Sequence, residues 1–158
     1  MTDAGWKGFD RSLINGLWPQ ANILETELTF DGATTNAIGD YDGTGNPATI
    51  FTVTGVVEVA LIAVCTTSVE GASSTIEVGT AKLTTGLIAL TTATNLIINE
   101  IWHDNSPDSS VELSSVAARS ICMQDIILTV RIANATAGVI KFILLWQPIS
   151  SDGNVVIA

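Results

Sequence analysis

Alternating apolar and polar residues run through most of the chain after residue 48, and this pattern predicts β-strands. In residues 50–67 the odd positions are nearly all apolar, while Thr52, Thr54 and Glu58 occupy even positions. A two-residue period of this kind is typical of a strand with at least one buried face. The sequence therefore predicts one long strand over residues 50–67.

Shorter strands are predicted farther along the chain, each bounded by a turn. Residues 75–78, 81–90 and 96–102 are rich in β-branched and apolar residues, and Thr84-Thr-Gly interrupts the second of these stretches. Gly, Ser, Asn, Asp and Pro cluster at 69–74 and 104–110, which predicts turns there because these residues accept the backbone angles that a turn requires.

The last third of the chain has the most regular pattern. Two apolar stretches, Ile126–Ala133 and Val139–Gln147, flank a turn at Asn134–Gly138. In the second stretch one face carries the large side chains of Ile140, Phe142, Leu144 and Trp146. We predict a β-hairpin with this apolar face in the core, where each large side chain contributes roughly 1.5–3 kcal/mol when fully buried.

The spacing of these segments predicts about seven to nine strands and lacks the strand–helix–strand alternation of α/β proteins. We therefore expect an all-β fold, an antiparallel β-sandwich of the jelly-roll type, as a single domain over residues 30–158. The length of 158 residues suits one domain with a substantial core.

The first part of the chain differs from the rest, because it combines glycines with isolated aromatic residues and has no sustained period. For residues 1–29 we consider two interpretations equally. One is an extended N-terminal arm whose anchors Trp6, Phe9 and Trp18 bind a neighbouring subunit, since aromatic residues dominate buried contact energy. The other is a loop-rich segment folded onto its own core, which we favour for residues 30–48; a short helical turn is expected at Asp10–Asn15.

Composition and charge exclude several partners. The apolar runs are interrupted by Glu58 and Lys141, so none reaches the ~20 apolar residues that cross a bilayer, and we expect no membrane association. The formal net charge of −10 argues against nucleic acid, because binding to phosphates needs clustered cations. The first residues lack the features of a secretory signal, so we expect folding in a cytoplasm.

Candidate catalytic residues are few. His103 is the single histidine, and beside a turn that contains Pro we interpret it as a surface loop residue. One histidine and two distant cysteines do not supply the three or four nitrogen and sulfur ligands that we expect for a zinc site. We therefore expect no catalytic residues, no metal, no cofactor and no enzymatic activity.

Two further features have structural interpretations. Cys65 and Cys122 lie in apolar, strand-like sequence, so we expect buried, reduced thiols rather than a disulfide. Asp40-Tyr-Asp-Gly-Thr-Gly-Asn46 resembles the opening of a calcium loop, but its twelfth position is Phe51 where such a loop has Glu. A turn that leads into the long strand is the preferred explanation.

A series of short segments resembles a known class of protein. In order along the chain they are Phe30-Asp-Gly, Thr52-Val-Thr-Gly55, Val64-Cys-Thr-Thr67, Asn99-Glu-Ile-Trp102, Asp125-Ile-Ile-Leu-Thr129, Thr136-Ala-Gly138 and Gln147-Pro-Ile-Ser-Ser-Asp-Gly-Asn154. Together they resemble small virion proteins of tailed bacteriophages, of the capsid decoration or cement type, over roughly Leu28 to Ala158. The resemblance implies a β-sandwich that assembles as a homotrimer and binds the major capsid protein on the exterior of the virion.

Two other functions are consistent with the same fold. A tail or head-fibre component would bind a host glycan or receptor, with Trp102 beside Asp104 and Asp108 as the candidate site. The second function is that of an enzyme built on the same β-sandwich, although the sequence lacks the pair of acid and base residues that such an enzyme would use. The many apolar residues favour an oligomer, because subunit contacts can cover surplus apolar surface.

Overall fold

The structure is a computed structural model that describes residues 21–113 and 118–158. Within these residues the chain forms ten strands and one short 3₁₀ helix, Ala93–Asn95, between β5 and β6. The strands are β1 (Asn22–Thr29), β2 (Ala48–Thr54), β3 (Val57–Glu70), β4 (Thr75–Thr80), β5 (Leu83–Thr92), β6 (Ile101–Trp102), β7 (Ser120–Cys122), β8 (Ile126–Arg131), β9 (Ala137–Pro148) and β10 (Asn154–Ile157).

The strands form two antiparallel sheets. Sheet A has the order β1-β9-β3-β6, and β7 also pairs with β3. Sheet B has the order β10-β2-β8-β4-β5. The all-β, sandwich-like fold predicted from the alternation is thus confirmed. In the described part of the chain, no helix is long and apolar enough to cross a membrane.

The core lies between the two sheets, and β9 contributes its largest side chains. Ile140, Phe142, Leu144 and Trp146 point inward, as the alternation predicts, and all four are buried. Phe142 lies against Trp102 of β6, with ring centroids 6.4 Å apart. Sheet B closes the core from the other side with Phe51, Ile76, Ile88, Ile126 and Leu128, which are all fully buried.

The long strand predicted over residues 50–67 is two strands that belong to different sheets. The break falls at Gly55, whose φ of +65° is in the left-handed region. This φ favours glycine, and a Cβ at this position would also lie 2.6 Å from Asp152 Oδ1 and from Ser150 Oγ, so these side chains would have to move. The chain turns at this glycine and passes from β2 in sheet B to β3 in sheet A.

The predicted hairpin of the last third is also wrong, because β8 lies in sheet B and β9 in sheet A. The connection between them crosses from one sheet to the other. Ala135 within it is fully buried, donates its N–H to the carbonyl of Gly39 at 2.9 Å and accepts the N–H of Gly32 at 3.0 Å. These bonds tie the connection to the turns of residues 31–46, whereas a tight hairpin would bond to itself.

Two of the shorter strands also differ from the prediction. β5 is extended over Leu83–Thr92, but its register with β4 shifts between Ile88 and Leu83, so the interruption predicted at Thr84-Thr-Gly is an irregularity in the pairing. Only Ile101 and Trp102 of the predicted strand over residues 96–102 are extended, since the preceding segment forms the 3₁₀ helix and a turn.

The segment of residues 1–29, predicted as an arm, ends in a strand. Residues 22–29 form β1, which pairs with β9 over its whole length, from Asn22 opposite Trp146 to Thr29 opposite Val139. Leu24 and Leu28 pack against the core, which explains why this stretch joins the sandwich. The aromatic residues Trp6, Phe9 and Trp18 and the turn predicted at 10–15 lie outside the described residues.

Candidate functional site

The outward-facing side of sheet A carries a block of apolar residues, and we call this block the outer face. It is formed by alternate residues of adjacent strands: Ile23 of β1, Ile143 and Leu145 of β9, Ala60, Ile62 and Val64 of β3, and Ile101 of β6. Leu145 lies between Ile23 and Ala60, and Ile143 lies between Glu25 and Ile62. The register therefore places these apolar side chains side by side.

The exposure of these residues shows that part of the outer face is accessible in the described chain, although Ala60 is buried. Ile23 is 62% exposed, and the neighbouring Ile62, Ile143 and Leu145 are each partly exposed. Ile121 of β7, opposite Glu58, extends the apolar area and is 71% exposed. An antiparallel sheet that faces water on one side normally carries polar residues there, so this face has the composition of a contact surface.

Charged side chains border the outer face at both ends. At one end Lys141 Nζ lies 2.5 Å from Glu25 Oε2, and this hydrogen bond raises the pKa of Lys141. At the other end Glu58 accepts a hydrogen bond from Gln147 and lies 3.1 Å from Arg119 Nη1. An apolar centre with a polar border is the usual arrangement of a protein interface.

Sheet B differs on its outward side. There Glu77 lies opposite Thr129, and Arg131 Nε donates to Glu77 Oε1 at 2.8 Å. Sheet B thus carries an ion pair at the centre of its outward side, where sheet A carries isoleucine and leucine. The outward sides of the two sheets therefore differ in composition.

A second feature is a group of polar side chains around His103, just after β6. His103 Nε2 lies 3.2 Å from Asp108 Oδ2 and 3.3 Å from Glu112 Oε2, and Nδ1 lies 3.7 Å from Asp104 Oδ2. The side chain of His103 is only 8% exposed. The prediction of a surface loop residue is therefore wrong about its exposure, although His103 does lie in a loop.

The loop closes over His103 because the backbone brings Asp108 back to β6. Ile101 and Asp108 exchange two backbone hydrogen bonds, with N···O distances of 2.7 and 2.9 Å. The neighbouring Trp102 is fully buried, and its indole N–H donates to Thr91 Oγ1 at 2.8 Å. The Thr91 hydroxyl also lies 2.9 Å from the carbonyl oxygen of Asp104, so both sides of His103 are held in place.

The two carboxyl groups next to His103 influence each other. A hydrogen bond with the Glu112 carboxyl is the main cause that raises the pKa of Asp108. The pKa of Glu112 is lowered, chiefly by the backbone N–H of Leu113 and then by Asp108. Asp108 therefore binds a proton more readily, and Glu112 less readily, than each group would alone.

The remaining predicted features have structural roles. Cys65 and Cys122 are buried free thiols, as predicted, and burial is the main cause that raises the pKa of each. Asp40 is buried in a turn, where its carboxylate accepts the backbone N–H of Asn36 at 2.8 Å. The side-chain amide of Asn46 donates a hydrogen bond to the carbonyl of Val130 and accepts one from the backbone N–H of Val130. These hydrogen bonds explain the polar side chains of this segment as parts of a turn.

The structure changes the candidate glycan site. Trp102 is fully buried, with its ring against Phe142, and therefore has no face on which a sugar could stack. Neither the outer face nor the His103 group emerges from the sequence pattern alone. Alternation over β3 indicates that its even positions are largely apolar, but it does not indicate whether another layer covers them.

Comparison with protein-family models, with curated proteins and with solved structures gives no match to this chain.

Proposed function

We propose that this protein is a structural virion protein that binds and stabilises the outer surface of a bacteriophage capsid, as a decoration or cement protein. The observation that carries the proposal is the apolar outer face of sheet A. A face with this composition needs a partner surface, and the resemblance to small virion proteins gives the major capsid protein as that partner.

Two further observations support the proposal. The strand order supports the jelly-roll interpretation. When β7 and β10 are left out, sheet A has the order β1-β9-β3-β6 and sheet B the order β2-β8-β4-β5. Two Greek keys that pack together distribute successive strands between two sheets in this way. The edge strand β5 also exposes Leu83 and Leu90, which are 60% and 42% accessible. These residues are available for contacts between copies, which is consistent with the homotrimer that the resemblance implies.

The test of this function is capsid binding by variants of the outer face. Ile23→Glu and Ile143→Glu each place a charge within the apolar area, while Val156→Glu places the same charge on the outward side of sheet B. We expect the first two to reduce occupancy on empty heads by at least about tenfold, because a buried charge without a partner costs more than 1.4 kcal/mol. Val156→Glu should bind as the parent does.

Thermal unfolding of the free protein provides the control. Ile23 is already 62% exposed, so Ile23→Glu should leave Tm nearly unchanged. Light scattering should give about three times the chain mass of 16.5 kDa for the parent. Unchanged occupancy of heads by both outer-face variants would contradict the proposed attachment.

A further inference from the structure

We propose that His103, Asp108 and Glu112 bind a divalent metal ion of the zinc type. The three side chains present one imidazole nitrogen and two carboxylate oxygens, and these atoms lie within 4.8 Å of one another. In a tetrahedral zinc site with bonds of about 2.0–2.1 Å, neighbouring ligand atoms are about 3.3–3.4 Å apart. The distances from His103 Nε2, 3.2 and 3.3 Å, already match this spacing.

The donor set selects among divalent ions. Imidazole is a common ligand of zinc and other transition metals, whereas calcium prefers six to eight oxygen ligands and magnesium retains most of its waters. Three protein ligands would leave one tetrahedral position for water or for a group from another molecule. Two carboxylates also balance the charge of a divalent cation, which suits a chain whose net charge is −10.

Both ring nitrogens of His103 face carboxylates. Nδ1 lies 3.7 Å from Asp104, and Nε2 lies within hydrogen-bond distance of Asp108 and Glu112. A ring that carries its proton on Nδ1 would present the lone pair of Nε2 to an ion held between these two carboxylates. The ring is 92% buried, since 8% of the side chain is exposed, so it cannot readily turn away.

The backbone around the site is fixed before any ion binds. The two backbone hydrogen bonds between Ile101 and Asp108 position the carboxylate of Asp108. The buried hydrogen bond from Trp102 to Thr91 holds the residue before His103 and so positions the imidazole ring. A bound ion would fasten Glu112 to this framework and hold the loop of residues 103–112 against β6. This inference concerns the end of sheet A beyond β6 and is independent of capsid attachment.

The experiment is calorimetric titration of the full chain with Zn²⁺ after removal of metals by a chelator. We expect one ion per chain and a rise in Tm on binding, because an ion that binds the folded state alone stabilises it. His103→Gln and Glu112→Gln should each weaken binding by more than about tenfold, since loss of an outer partner alone has that effect at other zinc sites. Asp42→Asn, which removes an exposed carboxylate from the turn before β2, should bind Zn²⁺ as the parent does.

Three results would overturn the proposal: no zinc binding by the parent, unchanged affinity in both ligand variants, or displacement of Zn²⁺ by equimolar Ca²⁺. The parent itself provides a test if the variants do not fold. Its Co²⁺ complex should show the absorption of a tetrahedral site with nitrogen and oxygen ligands. A thiolate charge-transfer band would instead assign the ion to Cys65 or Cys122 and contradict the site.

Discussion

Leu144 and Leu145 are adjacent in β9, yet their side chains have opposite environments. Leu144 is fully buried between the sheets, whereas Leu145 lies on the outer face and is partly exposed. The free energy of unfolding depends on this difference, because the removal of a buried side chain loses its transfer free energy and also leaves a cavity.

Leu144→Ala should therefore lower the free energy of unfolding by about 2–5 kcal/mol. Leu145→Ala removes the same atoms from a partly hydrated position and should cost clearly less. Urea unfolding of both variants at 25 °C measures the difference. Equal losses would show that the inward and outward faces of β9 have been assigned the wrong way round.

At the scale of the elements, alternation predicts which side chains of a strand face the core but not which strand lies beside it. The inward face of β9 follows from its sequence because the aromatic residues Phe142 and Trp146 lie on the side opposite Lys141 and Gln147. The strands that pair with β9 do not follow from its sequence, because β1 and β3 come from distant parts of the chain. The predicted hairpin with β8 failed for this reason: a short connection between strands can turn back within one sheet or cross to the other.

Prediction of the candidate sites from the sequence has the same limitation, because it also requires knowledge of which strands lie side by side. The outer face exists because the register places Ile23, Leu145 and Ala60 in one row, and register cannot be read from each strand alone. The His103 group depends on the closure of its loop by the pairing of Ile101 with Asp108. The buried thiols were predictable, because an apolar sequence context alone favours burial of cysteine.

The break between β2 and β3 at Gly55 can be tested by substitution of this glycine. Gly55→Ala forces a Cβ into the left-handed region, at about 1–2 kcal/mol, and also into contact with Asp152 and Ser150. We expect a loss of at least that size in the free energy of unfolding. Gly86→Ala is the matched control, because Gly86 has no left-handed φ, and its loss should be smaller. Losses in the reverse order would contradict the proposed origin of the break between β2 and β3.

At the scale of the whole molecule, stability and attachment should depend on different parts of the chain. The described core lies between the two sheets and is formed by residues of the strands and their connections. We propose that Trp6, Phe9 and Trp18 contribute to attachment by contacts with a neighbouring capsid or decoration subunit. The outer face would supply the remaining contact.

Removal of residues 1–20, or Trp6→Ala combined with Trp18→Ala, should then leave the Tm of the free protein nearly unchanged. Binding to empty heads should weaken by about 2 kcal/mol or more, which is typical of buried aromatic residues at an interface. Thermal unfolding and head occupancy should be measured on the same preparations. A large fall in Tm with normal occupancy would assign these aromatic residues to the protein's own core.

The pairing of β9 with both β1 and β3 determines when the protein can fold during its synthesis. Val57 pairs with Pro148 and Asn22 with Trp146, so sheet A cannot close until the chain has been synthesised through residue 148. Until then β3 remains without its central neighbour, with apolar side chains on both of its sides. Such distant pairings slow the search for the native state, to milliseconds or seconds in all-β domains, and expose the chain to aggregation meanwhile. The yield of folded protein should therefore depend on chaperones and on the rate of synthesis more than on the stability of the finished sandwich.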